Sequence, residues 1–252
     1  MYTLEYNQAE RPVNQARPNA STPPMPRSSA PSQNPHALRH GSRSEHVYRW
    51  LRDAIRQGEF KSGRRVMEIE VAQWLKVSRT PVRDAIRRLE SEGMLEYAPR
   101  NGLVVARLDR QAVMELYVMR ETLEGTAARL CARHASDMEI QDLVDLVERE
   151  RQLEGDYEGL ARHNWRFHKA IHRGAHNRYL EKSMASVNDS MGLLGTPLML
   201  LPHRAQTAAA EHARLAEAIL RRNPEAAEEA ARAHVRAAQR ERLKRLFPET
   251  ES

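Results

Sequence analysis

The chain has 252 residues, 40% of them hydrophobic and only 5% aromatic, a composition typical of a mainly helical protein with room for two modest domains. The sequence has neither an apolar run of about 18 residues nor a charged-then-apolar leader, so we expect no membrane span and no secretion signal. The single cysteine, Cys131, cannot form an internal disulfide, which favours a reducing cytoplasm.

The net charge of +6 is distributed unevenly along the chain. Residues 1–43 carry +3, residues 44–107 carry +4 and residues 108–252 carry −1. A basic N-terminal part joined to a near-neutral part indicates a polyanion-binding module followed by a domain with another task. Residues 1–43 also hold seven of the thirteen prolines. Such a segment buries too little apolar surface to offset its ordering entropy, which predicts a disordered tail.

Residues 44–107 have the element order of a winged helix-turn-helix. The second helix is expected to face inward with Ile69, Ala72 and Leu75. Asn101-Gly102 is a strong hairpin signal between two short strands. In chain order, the predicted elements are helices over about 44–57, 68–76 and 79–91, and strands over 95–97 and 103–106.

The third helix has one basic face and one apolar face. Arg79, Arg83 and Arg87 recur every four residues, and Thr80 lies beside them. Arginine can chelate the edge of guanine or clamp phosphate, and recognition helices read bases with their N-terminal residues. The alternative is a solvated basic face on an ordinary helix. The surrounding helix-turn-helix-hairpin order, and acidic residues that lie off this face, favour DNA binding.

From residue 108 to residue 247 the pattern is entirely helical. A capping box at Ser136 opens the second of these helices, and Asn223-Pro224 opens the last. We therefore predict an antiparallel bundle of about six helices. Their expected ranges are 109–134, from Ser136 to before Gly155, 157–175, 178–194, 203–222 and 224–246.

Three histidines, His168, His212 and His234, lie on apolar stripes that would face the bundle interior. Burying three imidazoles without partners is costly, and a divalent ion such as Zn or Ni would satisfy all three. Asn164 lies one turn before His168 and would reach the same point. The competing interpretation is a metal-free pocket in which the histidines hold an acid directly.

The remaining candidates in the bundle are assigned by their helix faces. His163, His172 and His176 are expected to face solvent, and His203 to lie at a helix start. Arg120 lies on the inner stripe of the first bundle helix, where an ion pair with Glu121 or Glu124 is one reading.

The segment from Val77 to Leu95, VSRTPVRDAIRRLESEGML, resembles the recognition helix of the GntR family of regulators. Residues 100–105, RNGLVV, resemble the wing of that family. This resemblance implies base and phosphate contacts by Arg79, Thr80 and Arg83. It also implies a wing, with Arg100 and Gly102, near the minor groove. Some members of the family carry a DNA-contacting arginine early in the second helix, and this chain has Ile69 at that position. The corresponding contact is therefore absent or is supplied by Arg64 or Arg65.

The bundle resembles the FCD, or FadR-type, effector domain, and six helices rather than seven are similar to its VanR-like branch. In that domain an Asp-x-x-x-His pair and two later histidines bind a metal. Asn164, His168, His212 and His234 match this pattern, with asparagine in place of aspartate. The amide brings no charge, so the site would hold the metal less tightly and attract an anionic effector more strongly. The resemblance also implies that Arg120 pairs with an effector carboxylate.

These features together predict a DNA-binding repressor rather than an enzyme. A homodimer would place two recognition helices on a pseudo-palindromic operator, and a small anionic metabolite would shift their spacing. One alternative is a hydrolytic metalloenzyme, but no carboxylate shares the stripes of the three histidines to serve as general base. The other is a constitutive DNA-binding protein whose bundle only dimerises.

Overall fold

The computed structural model describes residues 40–248, with side chains from residue 43 onward. Within that range the chain forms nine α-helices, one short 3-10 helix and a two-stranded sheet, which confirms the predicted fold class. The predicted tail lies outside the described residues except for residues 40–43, which belong to the first helix. None of the described helices combines the length and the apolar character that a membrane crossing requires.

The first half of the described chain is a winged helix-turn-helix. Lys76 closes the second helix in a left-handed conformation, with φ of 51°, and so allows the short turn into the third. The two strands pair antiparallel, with Leu95 opposite Val105 and Ala98 opposite Gly102. The elements are α1 (His40–Arg56), α2 (Glu68–Leu75), α3 (Arg79–Ser91), β1 (Leu95–Ala98) and β2 (Gly102–Val105).

The core of this domain forms where α1 and α3 pack together beneath an aromatic cluster. Trp50, Phe60 and Trp74 have ring centroids 6.0 to 6.1 Å apart. The inward placement of Ile69 was wrong, because its side chain is 48% exposed and Val71 is buried instead. The helix turns Val71, Ala72 and Leu75 toward the core, and Ile69 lies on the flank of that face.

The second half is a bundle of six helices. Side chains of Asp109, Asn177 and Asn223 accept hydrogen bonds from backbone N–H groups in the first turns of three of these helices. Ser136 and Glu139 form the predicted capping box. The helices are α4 (Arg110–His134), α5 (Asp137–Arg151), α6 (Tyr157–Gly174), α7 (Arg178–Gly192), α8 (Pro202–Leu220) and α9 (Pro224–Leu246), with the 3-10 helix at Leu198–Leu200.

The two domains meet where the end of α7 packs against α1. Leu193 follows α7 in the chain, yet it is buried in the hydrophobic core of the winged helix-turn-helix. Gly192 approaches α1 so closely that a Cβ atom there would lie 2.7 Å from the Cα atom of Arg56. One turn earlier, Asp189 pairs with Arg56 at 3.3 Å. The bundle is therefore in direct contact with the winged helix-turn-helix.

Candidate metal centre, basic cavity and DNA-reading surface

Three histidines from three helices converge inside the bundle. His168 of α6, His212 of α8 and His234 of α9 are all buried. One ring nitrogen of each lies within 4.8 Å of the others, and the ring centroids are 4.9 to 5.6 Å apart. The structure thus brings together the three histidines that the sequence placed on inward-facing stripes.

A carboxylate holds each of these rings by its Nδ1 atom. Glu150 of α5 accepts a hydrogen bond from His212 at 2.9 Å, and Glu211 of α8 accepts one from His234 at 2.7 Å. Glu124 of α4 contacts Nδ1 of His168 at 3.2 Å.

The sequence reasoning missed these carboxylates because it considered only the stripes that carry histidines, while Glu124 and Glu150 lie on neighbouring helices. Carboxylates therefore reach the three rings although none was found on the stripes that carry the histidines. For Glu124 a signal existed, since it follows Arg120 by four residues on the inner face of α4.

The carboxylates leave the opposite ring nitrogens available for a metal ion. An ionised carboxylate can only accept, so Nδ1 of His168 and Nδ1 of His212 carry the proton and their Nε2 atoms present lone pairs. At His234, Arg204 also lies 3.3 Å from Nδ1, but the shorter contact is the one with Glu211. Nε2 of His168 and Nε2 of His212 are buried without a hydrogen-bond partner. Each orphaned acceptor costs about 1–3 kcal/mol in a dry interior. Metal-binding histidines commonly donate their other N–H to a carboxylate, so this donor set fits a divalent cation.

The protonation states around the cluster also suit metal binding. Burial lowers the pKa of His168 below its ordinary value, with only partial opposition from Glu124. Burial, with the neighbouring His212 and His168, holds the pKa of His234 well below its usual range. Burial opposes ionisation of Glu124, but His168 and His172 outweigh it and hold its pKa well below normal. Neutral imidazole is the form that binds metals.

The other predicted bundle residues divide into buried and exposed groups. Asn164 is half-buried one turn before His168. His163 and His172 are buried, so their expected exposure was wrong. Because α4 and α5 cover α6, His163 contacts the carbonyl oxygen of Leu146 at 2.8 Å, and His172 contacts Glu124 at 2.9 Å. His176 and His203 are exposed, His176 against Glu139 and His203 at the start of α8 against Glu241.

Two adjoining cavities open beside the histidine cluster, with volumes of about 470 and 210 Å³. They share walls that include Arg56, Arg120 and Asn164. His168 lines the larger cavity and His234 lines the smaller one. The residues that line the smaller cavity include Arg56, Arg120, Arg204 and Arg242, and its described lining includes no carboxylate.

Sequence reasoning identified Arg120 in this cavity but missed Arg204 and Arg242. Arg242 is only 4% exposed and donates to the carbonyl oxygens of Leu194 and Thr196, both at 3.0 Å. Among residues 43–248, no carboxylate lies within ion-pair distance of it. Arg120 pairs with Glu124 at 3.6 Å, and its Nε atom lacks a hydrogen-bond partner. Buried arginine charge without matching carboxylates favours an anionic ligand.

The arginine face predicted for DNA contact is exposed on α3. Arg79, Thr80, Arg83 and Arg87 all face solvent. At the hairpin, Arg100 is exposed, and Gly102 has a φ of +71° that a residue with a side chain rarely adopts.

Two further features of this surface are the start of α3 and the surroundings of Arg64 and Arg65. Ser78 occupies the N-cap position of α3, but its side chain makes no capping hydrogen bond. Arg64 stacks 4.1 Å from the ring of Phe60, whereas the exposed Arg65 lies beside Gly102. Arg65 is thus the better placed of the two possible substitutes for the missing α2 arginine.

Glu68 of α2 contacts two arginines of this surface, Arg79 at 3.2 Å and Arg83 at 2.9 Å. We expect Glu68→Gln to tighten binding to random-sequence duplex by a few-fold, about 0.5–1 kcal/mol, because an exposed carboxylate repels phosphate and its ion pairs are weak. Fluorescence anisotropy with operator and random duplexes measures this effect. The matched control is Glu90→Gln, which removes an exposed carboxylate from α3 off the arginine face. Weaker binding by Glu68→Gln would instead mean that Glu68 orients the arginines.

A winged helix-turn-helix with an arginine-rich recognition helix, joined to a helical bundle with a basic cavity, defines a two-domain DNA-binding regulator of transcription. Residues 43–105 match the family described as bacterial regulatory proteins, gntR family, and residues 115–237 match the FCD domain. The chain belongs to the GntR family and carries an FCD domain, which confirms the resemblance at the level of family and domain.

Similar proteins agree with this assignment. The HTH-type transcriptional regulator YdhC of Bacillus subtilis is 34% identical over 190 residues, which cover 74% of this chain and 85% of YdhC. A protein of Paenarthrobacter nicotinovorans named as the probable D-xylose utilization operon transcriptional repressor is 32% identical over 191 residues, covering 73% and 81%. Escherichia coli McbR/YncC shares the fold, with a TM-score of 0.70 at 23% identity over 81% of this chain and 99% of that one.

Proposed function

We propose that the protein is a cytoplasmic transcriptional repressor whose operator affinity is controlled by a small anionic metabolite bound inside the bundle. One observation carries the proposal: the buried guanidinium of Arg242 has no carboxylate partner among the described residues and lines the same cavity as His234. An uncompensated buried charge is costly, so a ligand of opposite charge is stabilising there. The FCD domain match and the repressor named among the relatives support the same function.

The metal proposed for the bundle is Zn, with Ni or another first-row ion as the other possibilities. His168, His212 and His234 would hold it, with the amide oxygen of Asn164 as the fourth protein ligand. The ion would supply a fixed positive charge that attracts the effector carboxylate. Glu124, Glu150 and Glu211 accept hydrogen bonds from the ring nitrogens and so orient the imidazoles. Because Asn164 is neutral, it does not offset the positive charge of the ion, and that charge would attract the effector carboxylate.

Arg120 is the proposed effector ligand on α4. It lines both cavities, and its buried Nε atom lacks a hydrogen-bond partner. An effector carboxylate beside it would exchange water for a charge-assisted hydrogen bond. The effector changes operator affinity only to the extent that it binds one arrangement of the two domains better than the other.

On DNA, α3 would enter the major groove with Arg79, Thr80, Arg83 and Arg87, while Arg100 and Gly102 would bring the wing to the minor groove. A homodimer would present two such helices to a pseudo-palindromic operator. The bundle is proposed to follow the VanR-like branch, since six helices form it.

An exposed apolar stripe on α4, formed by Met114, Val118 and Met119, supports dimerisation through this helix. We expect Val118→Glu to weaken the dimer at least about tenfold, because a buried unpaired charge costs more than 1.4 kcal/mol. Analytical ultracentrifugation across a concentration series measures the dissociation constant. Met138→Glu on α5 is the control, since Met138 is 78% exposed and lies off the stripe. An unchanged constant in Val118→Glu would remove α4 from the interface.

A thermal-shift screen of organic acids, followed by operator-binding measurements, tests the function. An acid at about 100 times its dissociation constant should stabilise the protein by about 2.7 kcal/mol and should lower operator affinity. Operator affinity that no acid changes would favour a constitutive DNA-binding dimer. Hydrolysis of activated esters that is lost in His212→Ala would favour the metalloenzyme alternative.

A further inference from the structure

Arg56, which belongs to the winged helix-turn-helix domain, lines the cavities of the bundle. Arg56 ends α1, but its side chain forms part of the wall of both cavities beside Arg120 and Asn164. It reaches this position because the close approach at Gly192 and the burial of Leu193 bring α1 against the end of α7. A ligand in either cavity therefore lies against both domains at once.

The present partner of Arg56 is Asp189, and their contact is weak. The side chains are 27% and 17% exposed, and the nearest oxygen and nitrogen are 3.3 Å apart. Oδ1 of Asp189 is buried yet makes no hydrogen bond of good geometry. Burial raises the pKa of Asp189 above its ordinary value even though Arg56 and Arg52 oppose the shift. An anion in a better position can therefore replace Asp189 as the partner of Arg56 with little loss of interaction free energy.

The charge of the smaller cavity indicates how many anionic groups the ligand carries. Arg204 pairs with Glu211 and Arg120 pairs with Glu124, whereas Arg242 has no carboxylate near it and Arg56 has only the poorly bonded Asp189. One carboxylate can neutralise one guanidinium. Two arginines therefore remain for the ligand, Arg242 on α9 and Arg56 on α1.

We propose that Arg56 is itself an effector ligand, and that the effector is a small organic acid with two anionic groups that bridges the bundle and the DNA-binding domain. This inference rests on the proposed function. One anionic group binds at the Arg120 and Arg242 end of the cavity. The other binds Arg56 and replaces Asp189. Because Arg56 belongs to the DNA-binding domain, the domain arrangement that holds both groups is stabilised by the ligand.

The test compares butyrate with succinate and glutarate at equal ionic strength, using the full chain as purified. Isothermal titration calorimetry measures binding, and fluorescence anisotropy measures operator affinity. The variants are Arg56→Gln and the charge-conserving Arg56→Lys. The control is Arg49→Gln, two turns earlier on α1, because Arg49 pairs with Glu45 and does not line either cavity.

We expect wild type and Arg49→Gln to bind at least one diacid about tenfold or more tightly than butyrate, and Arg56→Gln to lose that preference. Arg56→Lys should retain part of it, and Asp189→Asn should increase it by removing the competing carboxylate. A diacid preference that is unchanged in Arg56→Gln would overturn the role of Arg56 while leaving the proposed function intact. Wild type that binds neither class of acid would overturn the proposed effector function together with this inference.

Discussion

His234→Gln is expected to release the metal that we propose for the bundle. Wild-type protein purified without an affinity tag should contain about one divalent ion per chain, by inductively coupled plasma mass spectrometry. Loss of one of three imidazole ligands should weaken binding by more than about 100-fold, beyond the effect of losing an orienting partner. The neutral Asn164 cannot compensate, because it brings no charge. Removal of the metal with a chelator should lower the free energy of unfolding of the wild type. The decrease is about 4 kcal/mol if the free ion had been present at about 1,000 times its dissociation constant.

The control is His203→Gln, which removes an exposed histidine that pairs with Glu241. This variant should retain the ion and the unfolding temperature of the wild type. His168→Gln provides a second removal from a different helix, so that misfolding of one variant does not decide the result. Wild-type protein without an ion, but with a full response to organic acids, would favour the metal-free pocket instead.

Arg83→Ala should weaken operator binding by about 1–3 kcal/mol and relax the preference for one base pair. Arg83 is about half exposed, and its contacts in the free protein are with Glu68. Its removal should therefore change recognition without disturbing the core. Anisotropy titrations with the operator, and with duplexes altered at single positions, separate the loss of affinity from the loss of specificity.

Arg88→Ala is the matched control on the same helix. The Arg88 guanidinium lies 3.6 Å from the ring centre of Tyr48 and contacts Glu45 and Glu92, so it faces α1 instead of DNA. The Arg88→Ala variant should lose less operator affinity than Arg83→Ala and should keep the base preference of the wild type. Equal operator affinity in Arg83→Ala and wild type would contradict the assignment of α3 as the recognition helix.

Periodicity was sufficient to predict the elements of both domains. The apolar stripes also placed His168, His212 and His234 in the bundle interior, because each stripe is a property of a single helix. The short helix α2 was the exception, since its eight residues contain too few turns to distinguish Ile69 from Val71 as the core residue.

The contacts that periodicity missed depend on how different helices face one another. Glu150 is 62 residues from His212, and no pattern within α5 or α8 specifies their pairing. Arg204 and Arg242 read as ordinary surface charges until α9 is packed against α8 and against the segment that follows α7. His172 was misplaced for the same reason, since only the packing of α4 on α6 brings Glu124 against it.

Leu193 limits how freely these two domains could be recombined. It completes the core of the winged helix-turn-helix, although 85 residues of the bundle sequence separate it from the end of that domain at residue 107. A chimera joined at residue 107 would leave an unfilled site against α1 unless its new partner offered an equivalent side chain. Exchange of sensor domains in this protein is therefore constrained by packing as well as by the junction sequence.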